Sequence, residues 1–64
     1  MNYNWQSVVN TEDLKIRWCK LGSKYAVEAH DTLSDGTWSR FARGDFETEA
    51  EARAYIAGIQ VARA

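Results

Sequence analysis

One cysteine, Cys19, and one histidine, His30, are all that the 64 residues hold of either type. A lone thiol leaves no internal disulfide, and one Cys with one His cannot supply the four ligands of a tetrahedral zinc site. No apolar run approaches the roughly 20 residues that a membrane-spanning helix needs. The opening Met1-Asn2-Tyr3-Asn4-Trp5-Gln6 has neither the basic nor the apolar region of a signal peptide. A soluble, cytoplasmic protein with no membrane partner is expected. Glycine-rich phosphate loops and recognisable catalytic motifs are missing too, so neither enzyme activity nor a cofactor nor a bound metal is expected.

What the chain does have is aromatic surface and a patterned charge. Three Trp, three Tyr and two Phe are a generous supply for a domain of this size. Such a chain forms one small core and is marginally stable unless it packs well, and each buried ring removes a large area from water. The formal net charge is −1. Residues 1–13 carry Glu12 and Asp13. Residues 14–43 carry Lys15, Arg17, Lys20, Lys24, Arg40 and Arg43 against Glu28, Asp31 and Asp35. Residues 44–64 carry Asp45, Glu47, Glu49 and Glu51 against Arg53 and Arg63. The middle is basic and both ends are acidic. A polyanion-binding surface has this distribution, and so does an ordinary solvated one.

The last third reads as a turn feeding an amphipathic helix. Thr48 with Glu51 three residues on is a capping box, in which the Thr hydroxyl accepts from the Glu51 backbone N–H and the Glu carboxylate reaches back to the Thr N–H. Glu47, Glu49 and Glu51 place negative charge at the positive end of the helix dipole, which accounts for them without a metal. Ala52, Tyr55, Ile56, Ile59 and Ala62 or Arg63 form one stripe that needs a sheet to cover.

Upstream, Leu14 to Lys20 alternates with Leu14, Ile16 and Trp18 inward and Lys15, Arg17 and Cys19 outward. Leu21-Gly22-Ser23 is a turn. Lys24 to Asp31 follows with Tyr25, Val27 and Ala29 inward and Lys24, Ala26, Glu28 and His30 outward. A loop carrying the Asp35-Gly36 pair leads to a third strand, Thr37 to Arg43, whose phase is ambiguous because Trp38 and Phe41 point to opposite faces. Burying Trp38 would bury Arg40 with it, at high cost, so Phe41 is expected to face the helix and Trp38, Arg40 and Ala42 to lie on the open face. Gly44 and Asp45 then turn into the helix. Tyr3 to Val9 alternates as a fourth strand or packs as an arm, and Asn10 to Asp13 is a turn. The fold class is therefore α+β: three antiparallel strands, or four, with one C-terminal helix on one face, forming a single domain over residues 1–64.

Two segments resemble the DNA-binding domain of the plant ethylene-response-factor type and its relatives in phage endonucleases and the arm-binding domains of tyrosine integrases. Lys24-Tyr25-Ala26-Val27-Glu28-Ala29-His30-Asp31 is similar to that family's second strand. Gly44-Asp45-Phe46-Glu47-Thr48-Glu49-Ala50-Glu51-Ala52-Arg53-Ala54-Tyr55 is similar to the start of its helix. The resemblance covers about the last forty residues and implies a sheet laid in the major groove, touching phosphates and base edges through Lys15 or Arg17, Glu28, His30 and Arg40. The sequence departs from the family where its strand-one arginine cluster thins to Lys15, Arg17 and Lys20, where its strand-two arginine is His30, and where its strand-three tryptophan aligns with Ala42. Weak, strongly salt-dependent binding to duplex DNA is the consequence.

Candidate nucleic-acid-binding residues are thus Lys15, Arg17, Glu28, His30, Trp38 and Arg40. His30 has no acid or nucleophile at a recognisable spacing and reads as a surface residue. Cys19, a lone strand cysteine, reads as inert. The alternative function is a small protein-binding or inhibitory module of the phage accessory type, anchored by Trp38, Trp5 or Tyr3. Pairing of the open face with its own copy, giving a homodimer, is the third reading.

Overall fold

The computed structural model describes residues 4–63 and contains four strands and one helix: β1 (Gln6–Asn10), β2 (Leu14–Leu21), β3 (Lys24–Thr32), β4 (Trp38–Phe46) and α1 (Glu49–Ala62). The strands pair in sequence order, β1-β2-β3-β4, each antiparallel to the next. A meander of this kind needs only short connections, and the chain supplies them. Gly22 has φ 64° and Ser23 a negative φ, so the two-residue β2–β3 loop has its positive φ at the first central position, as in a type II′ hairpin. In the β3–β4 loop Gly36 takes φ 87°. Both the backbone N–H and the hydroxyl of Thr37 donate to Asp35 Oδ1, at 3.0 and 2.7 Å. The hydroxyl bond, followed by the backbone one, holds the Asp35 carboxyl below its ordinary range. The β1–β2 turn closes where Leu14 N–H donates to Thr11 Oγ1 at 3.0 Å.

Phase on β2 and β3 agrees with the alternation. Ile16 lies opposite Ala29 and Trp18 opposite Val27 on the face toward α1, while Lys15 faces His30 and Arg17 faces Glu28 on the other. Lys20 falls in the inward phase, with its ammonium 5.7 Å from the Tyr25 ring centroid. The core is Ile16, Val27, Ala29, Ala52 and Ile56, ringed by residues such as Trp18, Tyr25, Phe46 and Tyr55. Burying the fully enclosed Ile16 and Val27 is worth about 1.5–3 kcal/mol each. The helix stripe ends at Ile59, and Ala62 is exposed.

β4 differs from the sequence expectation in two ways. β4 is longer, running through Gly44 and Asp45 to Phe46, so these residues belong to the strand and not to a turn. It also carries a bulge: Ala29 pairs with Ala42 but His30 with Arg40, leaving Phe41 as the extra residue. The bulge moves Ala42 to the helix face, where it packs against the core, and not to the open face. Phe41 is on the helix side as expected, beneath the Arg63 guanidinium at 4.9 Å, but it is 42% exposed and outside the core. A second irregularity, between Ser7 and Val9, lets Val9 take the inward position opposite Ile16.

Thr48 is the N-cap, with φ −128° and ψ 155°, and its hydroxyl accepts from Glu51 N–H at 3.2 Å. The other half of the box differs. The Glu51 carboxylate accepts from the Thr48 hydroxyl at 3.0 Å, in place of the Thr48 backbone N–H. The helix lies mainly over β3 and β4, and its far end is tied down by Arg63 Nη1, 3.3 Å from Asp31 Oδ2. With extents of 37 × 29 × 15 Å, the molecule has two layers, one sheet and one helix. One sheet face is left without a covering layer among the described residues, as an antiparallel sheet allows.

Candidate nucleic-acid interface

Register alone assembles the centre of the open face. Arg17 on β2 and Arg43 on β4 both lie directly opposite Glu28 on β3, so one carboxylate stands between two guanidiniums in a single cross-strand row. The β4 bulge adds a third. Residues three apart on a regular strand point to opposite faces, and the extra residue at Phe41 brings Arg40 and Arg43 to the same one. Glu28 Oε1 accepts from Arg17 Nη2 at 2.8 Å and from Nε at 3.2 Å. Its Oε2 accepts from Arg40 Nη1 at 3.1 Å and from Arg43 Nη1. Arg43 Nη2 also reaches Asp45 Oδ1 at 3.3 Å.

The carboxylate is enclosed and the arginines are not. The Glu28 side chain is 7% exposed, against 46% for Arg17 and 53% for Arg40. Burial by itself pushes the Glu28 carboxyl up, and the hydrogen bonds from Arg17, Arg43 and Arg40 more than offset it, so the group is held below its ordinary value of 4.5. Its geometry suits it to holding three cations at fixed positions, and Arg17 and Arg40 each keep a terminal nitrogen that makes no hydrogen bond among the described residues. The cluster keeps an excess of positive charge, since one carboxylate, with Asp45 at the margin, faces three arginines. Cys19 and Ala26 are also buried, on a face that alternation marks only as outward. Burial pushes the Cys19 thiol up, and Arg43 and Arg17 pull the other way without cancelling it. A thiol shifted in this direction is less available as the nucleophilic thiolate.

Beside this cluster lies a groove of about 440 Å³, lined by Trp5, Ser7, Asn10, Lys15, Arg17, His30 and Trp38, with Ile16 contributing to its wall. Trp38 is 37% exposed, and the Lys15 ammonium sits over its ring, 4.3 Å from the centroid. Trp5 is half-buried, with the Arg17 guanidinium over its ring at 4.3 Å. The groove lining therefore includes two indoles, each with a cation on its face. His30, half-buried, lies between Lys15 and Arg40 in the register.

All six sequence-predicted residues, Lys15, Arg17, Glu28, His30, Trp38 and Arg40, share this face. They divide into a surrounded anion, Glu28, and a rim of cations and aromatics. Arg43 escapes the sequence reading because the bulge that turns it outward breaks the alternation. The adjacent Phe41-Ala42 pair, two apolar residues in a row where a polar one is due, is the signal that could have found it. Trp5 enters the sequence reading only as an anchor for a protein partner, and Tyr3, the other N-terminal anchor, lies outside the described residues. No group of three or more His, Cys, Asp or Glu is placed to hold a metal among the described residues. No helix there is long and apolar enough to cross a membrane. Comparison with protein families, with curated proteins and with solved structures finds no match to this chain.

Proposed function

We propose that the protein is a small, non-enzymatic nucleic-acid-binding module that works through the open face of its sheet. The observation that carries this reading is the convergence of Arg17, Arg40 and Arg43 on the enclosed Glu28, with Lys15 beside them. An arginine already oriented by a carboxylate loses less freedom when it donates to a phosphate, and several in one row match a repeating backbone charge. The resemblance to the ethylene-response-factor type adds support, since it selects the same sheet face. Arg17→Ala combined with Arg40→Ala should weaken binding to nucleic acid. It should also flatten the slope of log affinity against log salt by about one for each phosphate no longer neutralised. A folded wild-type protein that binds neither duplex nor single strand at low salt overturns the reading.

The second reading is a protein-binding module, and the exposed Trp38 next to cations favours it, because Trp and Arg are the side chains of interface hot spots. Partners that stay bound through nuclease treatment and high salt would select it. Partners released by nuclease treatment would select the first.

A further inference from the structure

We infer that the groove between Trp5 and Trp38 binds unpaired bases of a single-stranded nucleic acid by stacking them on the two indoles. This rests on the nucleic-acid reading of the same face and specifies its ligand. In a duplex the bases stack on each other and offer only their edges to a protein, so a ring on the protein surface has no base plane to meet. In a single strand every base has a free π-face, and an aromatic side chain bordering a cationic groove is the complementary surface.

The observed groove has both parts. Trp5 and Trp38 line it, and so do the cations now over their rings, Arg17 and Lys15. One face of each indole is covered by a cation 4.3 Å from the ring centroid, and that cation also lines the groove, so a base would reach the face by displacing it. On Trp38 a base that takes that face releases Lys15 to the adjacent phosphate, so stacking and charge neutralisation proceed together. On Trp5 it must part the ring from Arg17, which stays hydrogen-bonded to Glu28. Ser7, Asn10 and His30 supply hydrogen-bonding groups along the groove without the fixed array that reads a sequence. At about 440 Å³ the groove is within the roughly 300–1,000 Å³ of small-ligand pockets, a size for bases and not for a helix. Arg40 and Arg43, held on Glu28 at the margin, extend the cationic track beyond it.

The test compares a labelled oligonucleotide of roughly 12 residues, in deoxy and ribo forms without self-pairing, with the corresponding duplexes at low salt. Binding is followed by anisotropy with the wild-type protein, and the Trp38 contact is read separately by its quenching in a Trp5→Phe, Trp18→Phe background, where the phenyl ring introduced at position 5 still offers a stacking face. The single strand should bind at least about tenfold more tightly than the duplex, with quenching of Trp38, and Trp38→Ala should lose roughly tenfold of that affinity. Comparison of the deoxy and ribo strands tells which sugar the site prefers. Trp38 is a surface residue, so its removal leaves the core alone, and an unchanged thermal midpoint verifies this. Equal or tighter binding to the duplex overturns the inference and leaves the broader nucleic-acid reading standing, as does a Trp38→Ala variant that binds single strand undiminished. Absence of binding to every oligonucleotide by the folded wild type overturns both.

Discussion

Gly44 shows how much one missing atom decides. It lies opposite Val27 on the helix face of β4, and a Cβ built there would stand 2.6 Å from Phe46 Cζ and 3.4 Å from Tyr55 Cε2. The Phe46 ring occupies the space over the glycine and meets Tyr55 with centroids 5.0 Å apart in a tilted pair. The glycine is therefore required for close packing of an aromatic and not for a turn, as the Gly-Asp pair suggests from sequence. The ring could swing away only by giving up its packing against Tyr55. Gly44→Ala should destabilise the domain by about 1–3 kcal/mol, read as a lower urea midpoint with an unchanged m-value. The same change in a Phe46→Leu background should cost clearly less, because the clash and the aromatic pair vanish together. Equal costs in the two backgrounds would mean that backbone freedom, and not the ring, explains Gly44.

At the scale of elements, the helix depends on its first turn more than its sequence suggests. Thr48 alone receives the Glu51 N–H, while the Glu51 carboxylate is turned to the Thr48 hydroxyl and caps no backbone group. Thr48→Ala should accordingly cost about 1 kcal/mol, and Thr48→Asp, which keeps an acceptor at the cap, much less. Denaturant unfolding of the two variants separates these outcomes. What the sequence reveals of the elements follows from what periodicity can encode. Leu14 to Lys20 and Lys24 to Asp31 keep strict alternation, so their limits and faces are legible, as is the stripe of Ala52, Tyr55, Ile56 and Ile59. A period of two has no place for an extra residue, so the bulge at Phe41 turns a regular strand into one of apparently mixed phase and hides Arg43. Alternation also gives face without depth. It marks Glu28, Ala26 and Cys19 as outward, which they are, but nothing in the spacing says that all three are buried there.

Over the whole molecule the same cluster ties folding to pH, because its carboxylate is central to the sheet and its partners come from the strands on either side. The folded-state pKa of Glu28 lies below the ordinary value of 4.5, so in acid the native state binds fewer protons than the unfolded chain. The stabilisation from the cluster is complete above the unfolded value and is lost as pH falls from there through the folded one. Protonation does more than remove one charge. It leaves Arg17, Arg40 and Arg43 crowded without their common anion, and the strands they join are then pushed apart. The arginines are about a third to a half exposed, and water screens them, so the effect is modest, on the order of 1–2 kcal/mol. Glu28→Gln keeps the shape and cannot ionise. Its stability near neutral pH should be lower than wild type by about that amount, and the two profiles should converge as pH is lowered through the folded-state pKa of Glu28, below which its carboxyl is neutral in both states. Urea unfolding across this range measures it. Parallel profiles, with a constant gap down to low pH, would show that the three ion pairs on Glu28 contribute nothing to stability and that its removal acts through packing alone.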